Sequence, residues 1–149
     1  MHMYRAAMIA AAVAVALAVF AACGSSSKPL SKADYIAKAD NVCQQTTEQI
    51  VAATKDLRHP SPAQVVDATK TRIVPLLQRQ DKDLAKLEPP VADQAAVHKF
   101  LTDLQAVTDE IANDTKAFVQ ARGVSQLATA ASTEAHTYGF KVCAKTGSS

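Results

Sequence analysis

The sequence of 149 residues has no tryptophan, four glycines, 5% aromatic residues and three methionines, and the methionines are Met1, Met3 and Met8. So few glycines leave no glycine-rich phosphate loop, and the GxSxG, HExxH and CxxCH patterns are missing as well. No Glu is followed three residues later by His, which removes the ligand pattern of di-iron helical proteins. Sixteen Lys and Arg against fourteen Asp and Glu give a net charge of +2, so no basic field for nucleic acid is present. No segment alternates apolar and polar residues with the period of a strand. These absences point away from an enzyme, and no catalytic, cofactor-binding or metal-ligating residue is expected.

What is present begins with a leader. Arg5 supplies a positive charge, residues 6–20 are an Ala/Val/Leu-rich stretch without charges, and small residues precede Cys23, the three parts of an export signal in order. An uncleaved membrane helix would need about 20 strongly apolar residues, more than this alanine-dominated run provides. The Phe20-Ala21-Ala22-Cys23 run resembles a bacterial lipobox, with Phe20 in the place usually held by Leu. The resemblance implies cleavage before Cys23 and a diacylglyceryl thioether, with palmitate-type chains, on its sulfur. Two acyl chains hold a protein on a bilayer far better than one. Ordinary cleavage near Ala21 or Ala22, to a soluble secreted form, is the competing reading. The chain thus divides into a signal peptide (1–22), a flexible tether (23–30), a helical domain (31–146) and a short tail (147–149). No methionine survives processing, so neither a methionine-rich copper site nor a Met-ligated haem is available.

Three cysteines in an exported chain leave one unpaired. Lipidation of Cys23 accounts for the odd one, and Cys43 and Cys143 remain as a pair in a compartment where a disulfide persists. Closing a loop of about 100 residues is worth up to roughly 4.7 kcal/mol in the chain-entropy model. A metal site is the alternative, but two cysteines without CxxC spacing or a nearby histidine fall short of a zinc shell.

Helical periodicity fills the domain. Ser31 with Asp34 starts a first helix whose apolar seam runs Ile36, Ala39, Cys43, Thr46, Ile50, Ala53, Leu57. His59-Pro60 breaks it, and Ser61-Pro62 caps a second helix with the seam Val66, Ile73, Leu77, Gln80, Leu84, Leu87. Pro75, on the opposite side, is expected to bend that helix rather than end it. After Pro89-Pro90 a third seam runs from Val97 through Leu101, Leu104, Thr108, Ile111 and Thr115 to Phe118, until Arg122-Gly123. A fourth runs from Val124 through Ala128, Ala131, Ala135 and Tyr138 to Val142. The expected fold is all-α, an up-down-up-down four-helix bundle with a disulfide joining helix 1 to helix 4. Cys43 lies about 18 Å up helix 1, level with Cys143 on a shorter helix 4, whose Ala135, Gly139 and Cys143 share a face.

Arg72, Arg79 and Lys86 on helix 2 and Asp103, Glu110 and Asp114 on helix 3 line sides that meet in an antiparallel pair, so they are expected to complement one another. Such pairs select register at about 0.2–1 kcal/mol each. His59 falls in a break and His98 and His136 fall off the seams, positions of exposed histidines. Tyr35 and Tyr138, near helix ends, read as half-buried packing residues with wet hydroxyls. Asn113-Asp114-Thr115 matches a glycosylation sequon.

Ala39-Asp40-Asn41-Val42-Cys43, the Leu87-Glu88-Pro89-Pro90 break and Gly139-Phe140-Lys141-Val142-Cys143 together resemble the pattern of small actinobacterial-type lipoproteins. That resemblance implies a helical, disulfide-stapled envelope protein and brings no reaction or ligand with it. The expected role is a lipid-anchored interaction or structural module on the extracytoplasmic face of the cell membrane, with an envelope protein or cell-wall polymer as partner. The alternative is a small-molecule or lipid binder using an interhelical pocket.

Overall fold

The computed structural model describes residues 29–123 and 125–145. The leader, Cys23, most of the tether, Val124 and the tail lie outside the described residues. Within them every regular element is helical. None of the described helices is long and apolar enough to cross a membrane.

Helix α1 (Lys32–Thr54) starts where expected: the Ser31 hydroxyl accepts from the Asp34 amide at 3.1 Å, satisfying a donor the first helical turn leaves open. It ends at Thr54, one turn before Leu57. Ser61 and Gln64 form a complete capping box at the start of α2 (Pro62–Ala68), with Pro62 in the first turn. Pro75 then has no amide to give and a ring that would strike the carbonyl of Thr71. The chain widens into a π-turn (Thr69–Ile73) just before it and resumes as α3 (Val74–Leu84), so the proline is accommodated without ending the helical path.

A 3-10 turn (Val91–Asp93) leads into α4 (Gln94–Asn113). The third helix was expected to run unbroken until Arg122-Gly123, but Asp114 leaves the helical region at φ −134°, ψ 61°. Its carboxylate instead caps a new short helix, α5 (Thr115–Gln120), by accepting from the Ala117 amide at 3.0 Å. Aspartate competes with the helix for local hydrogen bonds, and here the local bond wins. Arg122, at φ 56°, and Gly123 close α5. Helix α6 (Gln126–Tyr138) follows, with Ser125 as its cap, and a 3-10 turn (Cys143–Lys145) ends the described chain.

The fourth helix was expected to reach Val142, and it stops at Tyr138. Gly139 takes φ 113°, its amide bonds to the Ala135 and His136 carbonyls, and the Phe140 amide bonds to Ala135. This is a Schellman closure, in which a left-handed glycine followed by an apolar residue turns the chain back on the helix. Cys143 therefore sits beyond α6, and the disulfide joins α1 to the turn after α6.

Hydrogen bonds fix the directions of neighbouring helices. Leu30 at the start of α1 donates to the Glu88 carbonyl after α3, while Arg72 before α3 donates to Ala53 and Asp56 at the end of α1, so the two run antiparallel. Tyr138 at the end of α6 donates to Asp93 before α4, and Lys99 on α4 contacts Glu134 on α6, so these are antiparallel too. The core has two parts. The one near the start of α1 holds Tyr35, Leu84, Phe100 and Phe140 around the disulfide, and the other, at the far end, is built of Val74, Val107, Ile111 and small alanines. With each large apolar side chain contributing about 1.5–3 kcal/mol on burial, the first part carries most of the hydrophobic stabilisation.

The expected charge complementarity between helices 2 and 3 is not how the charges pair. Arg72 reaches back to Asp56 at 2.8 Å, Lys86 in the turn after α3 bonds Asp83 in its last turn, and Asp103 is taken by Lys99, which also contacts Glu134. A partner three or four residues away in the chain costs less side-chain order than one across an interface, and that nearness decides for Lys86 and Asp103.

Candidate functional site, a clasp between the two ends of the domain

Ile36, Asp40 and Cys43 are spaced by four and three residues, which puts them on one stripe of α1. The segment after α6 lies along that stripe. The Asp40 carboxylate accepts three backbone amides from it, Lys141 at 2.9 Å, Val142 at 2.9 Å and Cys143 at 3.0 Å. One turn further on, Cys43 is bonded to Cys143, with Cα atoms 5.3 Å apart. One turn before, Ile36 comes within 3.3 Å of where a side chain on Gly139 would begin, so a Cβ at Gly139 would meet both that contact and its positive φ. On the other side, the Ser132 hydroxyl of α6 donates to the Ala144 carbonyl at 2.6 Å. A carboxylate taking three amides satisfies donors that no helix supplies, and each charge-assisted bond is stronger than a neutral one.

This arrangement gives the two short motifs a physical content. Asp-x-x-Cys places a carboxylate and a sulfur on one face of a helix, and Gly-x-x-x-Cys provides a turned segment for them to hold. The pairing of Cys43 with Cys143 is as expected, whereas the part played by Asp40 was not recognised in the sequence. Its i, i+3 spacing to Cys43 was the signal available.

Beside the clasp lies an aromatic cluster. Tyr35 meets Tyr138 edge to face at 6.2 Å, and Phe140 stacks toward Phe100 and Tyr138 at 5.0 Å each. The Lys32 ammonium sits 4.3 Å from the Tyr138 ring centre, and the Tyr138 hydroxyl donates to Asp93 at 2.8 Å. Burial, and secondarily the Asp93 carboxylate, push the Tyr138 phenol well above its ordinary range. Tyr138 is half-buried as expected, but Tyr35 is wholly enclosed; burial pushes its phenol up to about 12, and its hydroxyl has no partner. Burial disfavours the charged phenolate, so both rings pack in their neutral form.

Gln80 is the other buried oddity. It keeps its expected place on the seam at 1% exposure, yet neither amide atom has a hydrogen-bond partner. A buried amide without partners costs about 1–3 kcal/mol. Gln80→Leu is therefore expected to raise stability by roughly 1–2 kcal/mol in urea denaturation; a loss of stability would mean that the amide is in use.

Other titratable groups do not assemble into a site. Burial raises the Asp81 carboxyl, opposed by the nearby Thr108 hydroxyl and reinforced by Asp109, but this group lies on α3. The cleft between α4 and α6, lined by residues including Phe100, Leu104, Ala131 and Ser132, lies elsewhere and has a volume of about 10 Å³. That is room for about one water. His59, His98 and His136 are exposed. Among the described residues no three His, Cys, Asp or Glu side chains are grouped to hold a metal ion. Set against protein-family models, curated proteins and solved structures, the chain matches none of them.

Proposed function

We propose that this is a lipid-anchored extracytoplasmic protein of the actinobacterial lipoprotein type, held by Cys23 on the membrane through the tether 23–30, and working as an envelope interaction or structural module. On this reading its domain is an up-down-up-down four-helix bundle that positions surfaces rather than performing chemistry. The observation that carries the reading is the clasp. A disulfide and a three-amide carboxylate fasten the end of the domain to its first helix, as suits a rigid spacer outside the cell. Exposed apolar side chains then serve as contact points: Val51 at 64% exposure and Leu127 at 40% both lie toward the end remote from Leu30. A photo-cross-linking residue at Val51 or at Leu127 in intact cells is expected to capture one and the same envelope protein or wall polymer. Recovery of no common partner from the two positions would contradict the reading.

The unpartnered Gln80 amide favours a second reading, a small-molecule or lipid ligand held between the helices. That reading requires a stoichiometric small molecule in solvent extracts of the membrane-derived protein, absent from Gln80→Leu. Extracts of the wild-type protein without such a molecule would remove it.

A further inference from the structure

The end of the domain from which the tether leaves has a composition of its own. Leu30 is pinned by its amide to the Glu88 carbonyl, Lys32 lies over the Tyr138 ring, and Tyr138 bonds Asp93, so these residues and the Pro89-Pro90-Val91 corner form one basal surface. Val91 is 70% exposed, more than Val51 or Leu127. Only seven residue steps separate Cys23 from Leu30, a reach of at most about 25 Å, whereas α1, with its 23 residues, extends about 34 Å at 1.5 Å per residue.

We infer that this basal surface is seated on the lipid headgroup layer, with Val91 and the two prolines entering the interface and Lys32 and Tyr138 at headgroup level. The inference rests on Cys23 being the lipid anchor. With the tether shorter than the helix and leaving from the basal end, the base is the end brought to the bilayer. A tyrosine with a neighbouring lysine, next to an exposed valine, has the mixed apolar and polar character of a membrane–water interface. The opposite end, with Val51 and Leu127, then faces away from the membrane.

Because the chain has no tryptophan, a single introduced one reports its own surroundings. Val91→Trp and Leu127→Trp proteins, expressed with the full leader, are isolated from the membrane, checked by mass for the lipid on Cys23, and reconstituted in vesicles with or without brominated phospholipid. The expected result is blue-shifted emission from the Val91→Trp protein that brominated lipid quenches, and solvent-like, unquenched emission from the Leu127→Trp protein. A lipidated Val91→Trp protein with solvent-like emission would overturn the seating and leave the anchor standing. Blue-shifted emission without quenching would also overturn it, because something other than lipid then covers the base. An unlipidated Cys23 would remove the anchor and the seating together.

Discussion

Replacing Cys43 and Cys143 together by alanine should lower the stability of the domain by about 2–5 kcal/mol, the range for removing a native disulfide from a small secreted domain. The bond closes a sequence separation of 100 residues, near the upper end of what chain entropy can return. For a domain of this size the loss corresponds to a fall in Tm on the order of 10–20 °C. Thermal and urea unfolding of the oxidised wild type and the double variant measure it directly. Both cysteines are almost fully buried, at 0% and 2% exposure, so packing is lost with the bond when the sulfurs are removed. Reducing agent added to the folded wild type should act slowly, since a thiolate must first reach an enclosed sulfur. A change below about 1 kcal/mol would mean that the helices hold the terminal segment without the bond.

Asp40 carries the second large effect. Asp40→Ala leaves the amides of Lys141, Val142 and Cys143 without their acceptor, two of them part-buried, and should cost about 1.5–3 kcal/mol. Asp40→Asn should recover part of this, because its single carbonyl oxygen can still accept while its amide nitrogen faces amides that also donate. Asp40 and the disulfide hold the same few residues, so their effects should not add. In the variant lacking both cysteines, where the terminal segment is already loosened, Asp40→Ala should cost less than in the wild type by about 0.5–2 kcal/mol. A four-variant urea series gives the coupling directly. Losses that sum to within experimental error would mean that the two contacts act on separate parts of the structure.

Much of the helical order was legible because it rests on local chemistry. Ser31 with Asp34 and Ser61 with Pro62 announce helix starts through local chemistry, and the structure caps both helices there, with Gln64 completing a box that was not expected from the sequence. The seams of α1, α3 and α4 follow from periodicity, and their members Ala39, Cys43, Leu84, Leu104 and Ile111 are buried. The breaks at Asp114 and Gly139 were not legible in advance, although each has a local cause. At Asp114 an apolar seam continued on both sides, and the capping bond to Ala117 outweighs the intrahelical one. At Gly139 the small-residue spacing Ala135, Gly139, Cys143 imitates a helix face, while the pair Gly139-Phe140 is a helix stop. Periodicity cannot separate these cases, because a Schellman turn keeps its apolar residue against the helix it ends.

The clasp was half legible. Counting cysteines pairs Cys43 with Cys143, but Asp40 looks like any charged residue on a helix until the segment after α6 is turned toward it. The charge pairing of helices 2 and 3 failed for the opposite reason. It assumed that complementary rows would meet across an interface, and Asp103 found its partner on its own helix, Lys86 in the last turn of α3 just before it, and Arg72 just beyond the end of α1.

The division of the three cysteines, one for the anchor and two for the clasp, is tested most directly by the intact mass of the protein taken from its membrane and alkylated before and after reduction. The predicted result is a chain beginning at Cys23 that carries a diacylglyceryl group, takes up no alkyl groups as isolated, and takes up two after reduction under unfolding conditions. An unlipidated Cys23 that alkylates, or alkylation of Cys43 or Cys143 before reduction, would contradict it.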